Sequence, residues 1–159
     1  MSKIKTLRKR LGMNPRECAD YLGLASLDEF TKAEENKSIS GSNIWSSLAM
    51  LDSIVESAVI SAVDQFCLSN EKEFILIRFL TYEEFALYEP EMCDDFGSVK
   101  IHRNFIDRTK KAIERIDGKV IIAFMNSEFY EAWLGVNDFD DNRELRVVWA
   151  RQQLRGLIK

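Results

Sequence analysis

NPRECADYLGLASLDEFTKAEENK, residues 14–37, decides how the chain is read. Asn14 can accept a hydrogen bond from the first turn of a helix, Pro15 suits the first helical position, and Glu17 stands where the reciprocal half of a capping box belongs. Cys18, Ala19 and Leu22 then fall on one face. Gly23 can take positive φ and let the chain reverse, with Leu24 apolar enough to tuck beneath the turn. Ser26 and Glu29 repeat the cap spacing and open a second helix, with Phe30 and Ala33 inward and Asp28, Thr31 and Lys32 outward. The small Ala19 lets two short helices cross closely beside a tight turn. The stretch predicts a helix-turn-helix.

On its N-terminal side, Ile4, Leu7 and Leu11 recur at helical spacing and place Lys3, Lys5, Arg8, Lys9 and Arg10 largely on the opposite face of a first helix that ends near Gly12. On its C-terminal side, Asn36–Ser42 reads as a polar turn with Ile39 as an anchor, and Ser42 or Asn43 as the cap of the next helix. That helix is long. Ile44, Leu48, Leu51, Val55, Ala58 and Ala62 step by four and three, and neither Gly nor Pro interrupts them before Ser69. Its broad apolar stripe serves either intramolecular packing or a dimer seam.

The chain has 159 residues, 46% of them hydrophobic, enough for a packed core. No run approaches the roughly 18 apolar residues of a membrane span, and charge near the N-terminus is unlike a signal peptide, so the cytoplasm is the expected location. Cys18, Cys67 and Cys93 lie far apart and outside any CxxC spacing, which predicts free thiols. The net charge of −4 is unevenly spread: residues 1–50 hold eight Lys or Arg against six Asp or Glu, and the remainder fourteen against twenty. Positive charge gathered at one end is what phosphate contact needs even in an acidic protein.

The C-terminal part mixes strand and helix. Phe74–Leu80 is β-prone and is followed by Thr81, which can cap a helix over Tyr82–Tyr88. Val120–Met125 followed by Asn126 repeats the layout, pairing Phe79 with Phe124, Glu83 with Glu128 and Tyr88 with Trp133. After each phrase the pattern suggests an acidic loop (Glu89–Asp95, Asn137–Asn142), a short strand (Val99–His102, Leu145–Trp149) and a basic amphipathic helix (Asn104–Ile116, Ala150–Leu157). Two β-α-β-α units sharing one small sheet are expected. The expected fold class is α+β, with a helix-turn-helix domain over 1–68 that includes the long helix, and a small α+β domain over 69–159.

Catalytic signals are weak. His102 is the only histidine and has no nucleophile in a recognisable motif beside it. Asp138, Asp140, Asn142 and Glu144 resemble the start of a calcium loop, but Arg143 stands where glycine is required and Trp149 where the closing glutamate belongs. No glycine-rich phosphate loop is present. Neither an enzyme nor a metal or other cofactor is expected.

Glu17, Ala19, Leu22 and Gly23, followed by Ala33, Glu34, Glu35, Asn36 and Lys37, resemble the λ-repressor-like (Xre-type) helix-turn-helix, whose second helix carries ExAxxLG and whose third ends in WENGK. Within that superfamily the chain is most similar to the YdiL-like group, which includes the anti-CRISPR-associated autorepressors. The Gly23-to-AEENK spacing, Phe30 and Ile39 carry this, with FILIRFLTYEEFALYEP and NFIDRTKKA beyond them, so that the likeness covers roughly residues 4–113. Ala33, Asn36 and Ser40 depart from the pattern's Trp, Gly and Pro, and Asp28 stands where the group presents a basic or amide side chain. The resemblance implies a sequence-specific DNA-binding repressor, homodimeric on a palindromic operator through its second half. It implies Ser26, Asp28, Thr31 and Lys32 at base edges, and Arg8, Lys9, Arg16, Lys37, Ser42 and Asn43 at phosphates or groove walls. The alternative is a protein-interaction module, such as an antitoxin-like partner, that keeps the helix-turn-helix as scaffold. The acidic total and the Asp28–Glu29 pair favour it.

Overall fold

The computed structural model describes residues 2–37 and 41–156. Short capped helices open the chain: α1 (Lys3–Arg10), α2 (Pro15–Tyr21) and α3 (Leu27–Glu34). Ser2, Asn14 and Ser26 accept from backbone N–H groups in the first turns of α1, α2 and α3, and Asn14 and Glu17 form the full reciprocal box. Helix α4 (Gly41–Ser69) has 29 residues, about 43 Å of rise. Ser42 and Asn43 lie inside its first turn instead of capping it; the anchor expected at Ile39, and Ser40, lie outside the described residues.

Helix α4 is, by length and composition alone, apolar enough to cross a membrane. Its Ser, Asp and Gln are spread thinly enough that the helix passes that test although no unbroken apolar run is visible. Its inward stripe of Ile44, Leu48, Leu51, Val55, Val59, Ala62 and Phe66 is buried, against α1 near its start and α7 along its length. Apart from Ala62, each such side chain contributes about 1.5–3 kcal/mol when fully buried.

Beyond α4 the order is β1 (Glu73–Arg78), α5 (Tyr82–Tyr88), α6 (Pro90–Phe96), α7 (Val99–Glu114), β2 (Lys119–Phe124), α8 (Ser127–Asn137) and α9 (Arg143–Leu154). The fold is α+β and mostly helical, with 69% helix and two parallel strands. β1 and β2 pair directly, from Glu73↔Lys119 to Arg78↔Phe124.

Three expectations are corrected here. Val99–His102 opens α7 and Leu145–Trp149 lies within α9, so neither is a strand. Both runs are short and β-prone, yet Ser98 and Asn142 cap helices immediately before them. Their buried positions then follow a helical stripe: Ile101, His102, Phe105 and Ile106 in α7, and Arg146, Trp149 and Ala150 in α9. The acidic stretch after α5 is also helical, with Pro90 in the first turn of α6 and Gly97, at φ 69°, closing it.

The repeated layout is therefore strand, helix, helix, with α6 added to the first copy. Phe124 is paired with Arg78, not with Phe79, whose counterpart just past the strand is Met125; Phe79 and Met125 are both buried while Phe124 is exposed. Thr81 and Asn126 cap the first helices of the two phrases, and Ser98 and Asn142 the last. One turn inside those last helices stand His102 and Arg146, both buried.

Candidate nucleic-acid interface

The α2–α3 unit is built around backbone geometry and small side chains. Gly23 sits at φ 64°, and the N–H of Leu24 donates to the Ala19 carbonyl at 2.9 Å, closing the end of α2. A Cβ at Gly23 would meet nothing within 4 Å, so the dihedral, not space, requires glycine. Ala19, Phe30 and Ala33 fill the crossing between the helices. Cys18 is completely buried with its Sγ 3.8 Å from the Met13 sulfur, and burial pushes its thiol up to about 12, so it behaves as an apolar filler.

The outward face of α3 presents Ser26, Asp28, Thr31 and Lys32, all exposed. Two of these are already engaged locally. Ser26 Oγ accepts from Glu29 N–H at 3.2 Å as the cap, and Thr31 Oγ1 donates to the Leu27 carbonyl at 3.0 Å. Lys32 Nζ lies 2.7 Å from Asp28 Oδ2 one turn earlier, and the hydrogen bond to Asp28 holds the Lys32 ammonium above its ordinary value. Asp28 therefore neutralises the one cation of this face. Both side chains are more than half exposed, so the pair is weak and a phosphate can compete for Lys32.

The flanking positions divide into two groups. Lys9 and Arg16 are exposed and, among the described residues, have no ion-pair partner. Thr31 and Lys37 line one surface depression with Lys5, and Lys37 pairs with Glu35 at 2.8 Å. Ser42 and Asn43 are exposed in the first turn of α4. Arg8 is different. Its guanidinium donates to both oxygens of Glu34, at 2.8 and 2.9 Å, and to the Met13 carbonyl at 3.0 Å, with the side chain 11% exposed. It positions α1 on α3 and has no free edge for a phosphate.

No protein-family model matches the chain, and no curated protein matches it.

Sequence reasoning missed how firmly the second half holds this unit. Glu17 divides its carboxylate: one oxygen accepts from Asn14 N–H at 2.7 Å and the other from Lys100 Nζ of α7 at 2.5 Å. Burial pushes the Glu17 carboxyl up, but the bonds from Lys100 and Asn14 outweigh it and leave it below its ordinary value. Tyr21 packs over Gly97, where an added Cβ would approach the ring to 3.1 Å. Arg108 of α7 reaches Asp52 of α4 at 2.6 Å and the Arg10 carbonyl at 2.9 Å, while Arg10 itself pairs with Asp52 and Glu56. Two of the five basic residues of α1 are thus engaged in structure. The only advance signal was basic residues in α7 at helical spacing, without a visible partner.

Proposed function

We propose that the chain is a sequence-specific DNA-binding transcriptional regulator, a homodimeric autorepressor that reads a palindromic operator with α3 in the major groove. The observation that carries this reading is the capped, glycine-turned α2–α3 pair with Ser26, Asp28, Thr31 and Lys32 together on its outward face, flanked by the exposed cations Lys9 and Arg16. Thr31 and Lys32 supply donors for base edges; Asp28 can only accept, for example from cytosine N4. Lys9, Arg16, Lys37 and the first turn of α4 grip the backbone, and Arg8 orients α1 for them. The division into a helix-turn-helix domain over 1–68 and a dimerising α+β domain over 69–159, the latter arisen by duplication, belongs to the same proposal, as does a cytoplasmic location.

Gel retardation of the promoter fragment of its own gene at low salt tests this. The wild-type chain retards the fragment and Lys32→Ala weakens the retardation; no retardation, with Lys32→Ala indistinguishable, rejects it.

The Asp28–Lys32 pair favours a second reading, a protein-interaction module that retains the helix-turn-helix as scaffold, because it cancels charge on the face that would meet DNA. Such a partner co-purifies and tolerates salt, whereas DNA binding weakens steeply through counterion release.

A further inference from the structure

A half-open cavity of about 520 Å³ is walled by α4, β1, α6, α7 and α9. Specific small-molecule sites occupy about 300–1,000 Å³ and are mostly apolar with a few placed polar groups. Ala62, Phe74, Leu76, Met92, Phe105 and Val147 give this cavity its apolar wall.

Two kinds of polar group interrupt that wall. The first is the imidazole of His102, a ring 3% exposed among Phe79, Phe85, Phe96 and Phe105, with centroids 4.6–6.5 Å away. Its Nδ1 is buried and has no hydrogen-bond partner among the described residues. Burial, with the Arg78 charge adding to it, holds the imidazole down to about 3, so the ring is neutral and offers one donor and one acceptor. The second is the free edge of β1. Lys119 N–H donates to the Lys72 carbonyl and Met125 N–H to the Arg78 carbonyl. The alternation of a parallel ladder then turns the backbone groups of Ile75 and Ile77 away from β2, and both residues line the cavity.

Glu144, exposed at the rim, makes no ion pair among the described residues, but the other charged groups there are matched. Arg143 pairs with Glu89, Arg146 with Glu89 and Asp141, and Arg151 with Glu71. An anionic ligand would find no free cation here, a cationic one only the solvent-exposed Glu144, and an unpaired charge in an apolar site is costly.

We propose that this cavity binds a small, uncharged, largely apolar molecule, a ring system or short chain carrying one hydrogen-bonding group that is met by the imidazole of His102. Walls from five elements separate it from a flat association surface, and the imidazole of His102 on that wall supplies the polar contact that a merely imperfect core would lack.

2-Naphthol, an uncharged two-ring molecule with one hydroxyl, is a suitable probe, and His102 gives the only histidine ring signals in the chain. Titration of 2-naphthol into the full chain, followed by NMR, shifts both ring signals saturably. 2-Naphthalenesulfonate, of similar shape but charged, binds about tenfold more weakly or worse. Ala62→Trp fills the cavity and abolishes the shift; Val147→Trp, at a half-buried position, does the same if the first variant fails to fold. The proposal is overturned by the absence of a saturable shift, by tighter binding of the sulfonate, or by an unchanged shift in a folded Trp variant. It is overturned equally if the apparent affinity falls as protein concentration rises, since a second copy would then be what covers the cavity.

Discussion

Arg8 on α1 and Glu34 at the end of α3 form a two-pronged ion pair, with N···O distances of 2.8 and 2.9 Å and side chains only 11% and 13% exposed. The third nitrogen of the guanidinium donates to the Met13 carbonyl, so one side chain fixes α1, the α1–α2 turn and the far end of α3. This pair sets the angle at which the outward face of α3 is displayed. Removing one partner strands a poorly solvated charge. Arg8→Ala is expected to cost about 2–3 kcal/mol in urea unfolding, and Arg8→Lys most of that, because an ammonium cannot form the fork. A loss within experimental error of zero for Arg8→Ala would show that the pair holds nothing.

Asp28 restrains Lys32 at 2.7 Å on an exposed surface. Asp28→Asn removes a charge that phosphates repel and releases the ammonium. Affinity for DNA should rise at low salt, and the slope of log K against log salt should steepen by about 0.9, the value of one additional phosphate contact. Isothermal titration at several salt concentrations reads both quantities; weaker binding by Asp28→Asn would instead assign Asp28 a direct acceptor role at a base.

Gly23 and Gly118 are both needed, for different reasons. At Gly23 the backbone is left-handed but the space is open, so Gly23→Ala should cost about 1 kcal/mol. At Gly118, before β2, an added Cβ would come within 2.4 Å of Ile113 Cγ2 and 2.6 Å of the Phe66 ring. Gly118→Ala must therefore displace buried side chains of α7 and α4 and should cost about 2–3 kcal/mol. Denaturant unfolding of the two variants should give that order, and the reverse order would contradict this packing.

His102 titrates far below an unfolded histidine, at about 3. Between that value and about 6.5 the unfolded chain binds the proton and the folded chain does not, so stability rises with pH across this window and is lost as pH falls through it. One such group supplies a slope of up to about 1.4 kcal/mol per pH unit. His102→Phe keeps a ring among Phe79, Phe85, Phe96 and Phe105 and should flatten the dependence between about pH 6 and pH 4. Urea midpoints across that range measure it, and an unchanged slope would place the acid sensitivity elsewhere.

Local chemistry made the first third legible. Asn14, Pro15, Glu17, Gly23 and Ser26 act within a few residues of themselves, and each cap and turn falls where their spacing puts it. The same logic located β1, β2, Thr81 and Asn126. Val99–His102 and Leu145–Trp149 were misread because β-branched and aromatic residues over four or five positions do not separate period two from period 3.6; the caps Ser98 and Asn142 did, and carried the stronger signal. For the interface, exposure of Ser26, Asp28, Thr31 and Lys32 followed from helical spacing. The engagement of Arg8 by Glu34, of Arg10 by Asp52, and of Glu17 by Lys100 did not, since these pairs join residues distant in the chain.

DNA recognition through α3 is tested most directly by fluorescence anisotropy with a duplex from the promoter of its own gene and a scrambled duplex of equal length, across a salt series. The wild-type chain should prefer the promoter duplex, with affinity falling steeply as salt rises, and Thr31→Ala with Lys32→Ala should erase the preference while leaving the fold intact. Equal affinity for both duplexes, or binding that is insensitive to salt and to these substitutions, would contradict it.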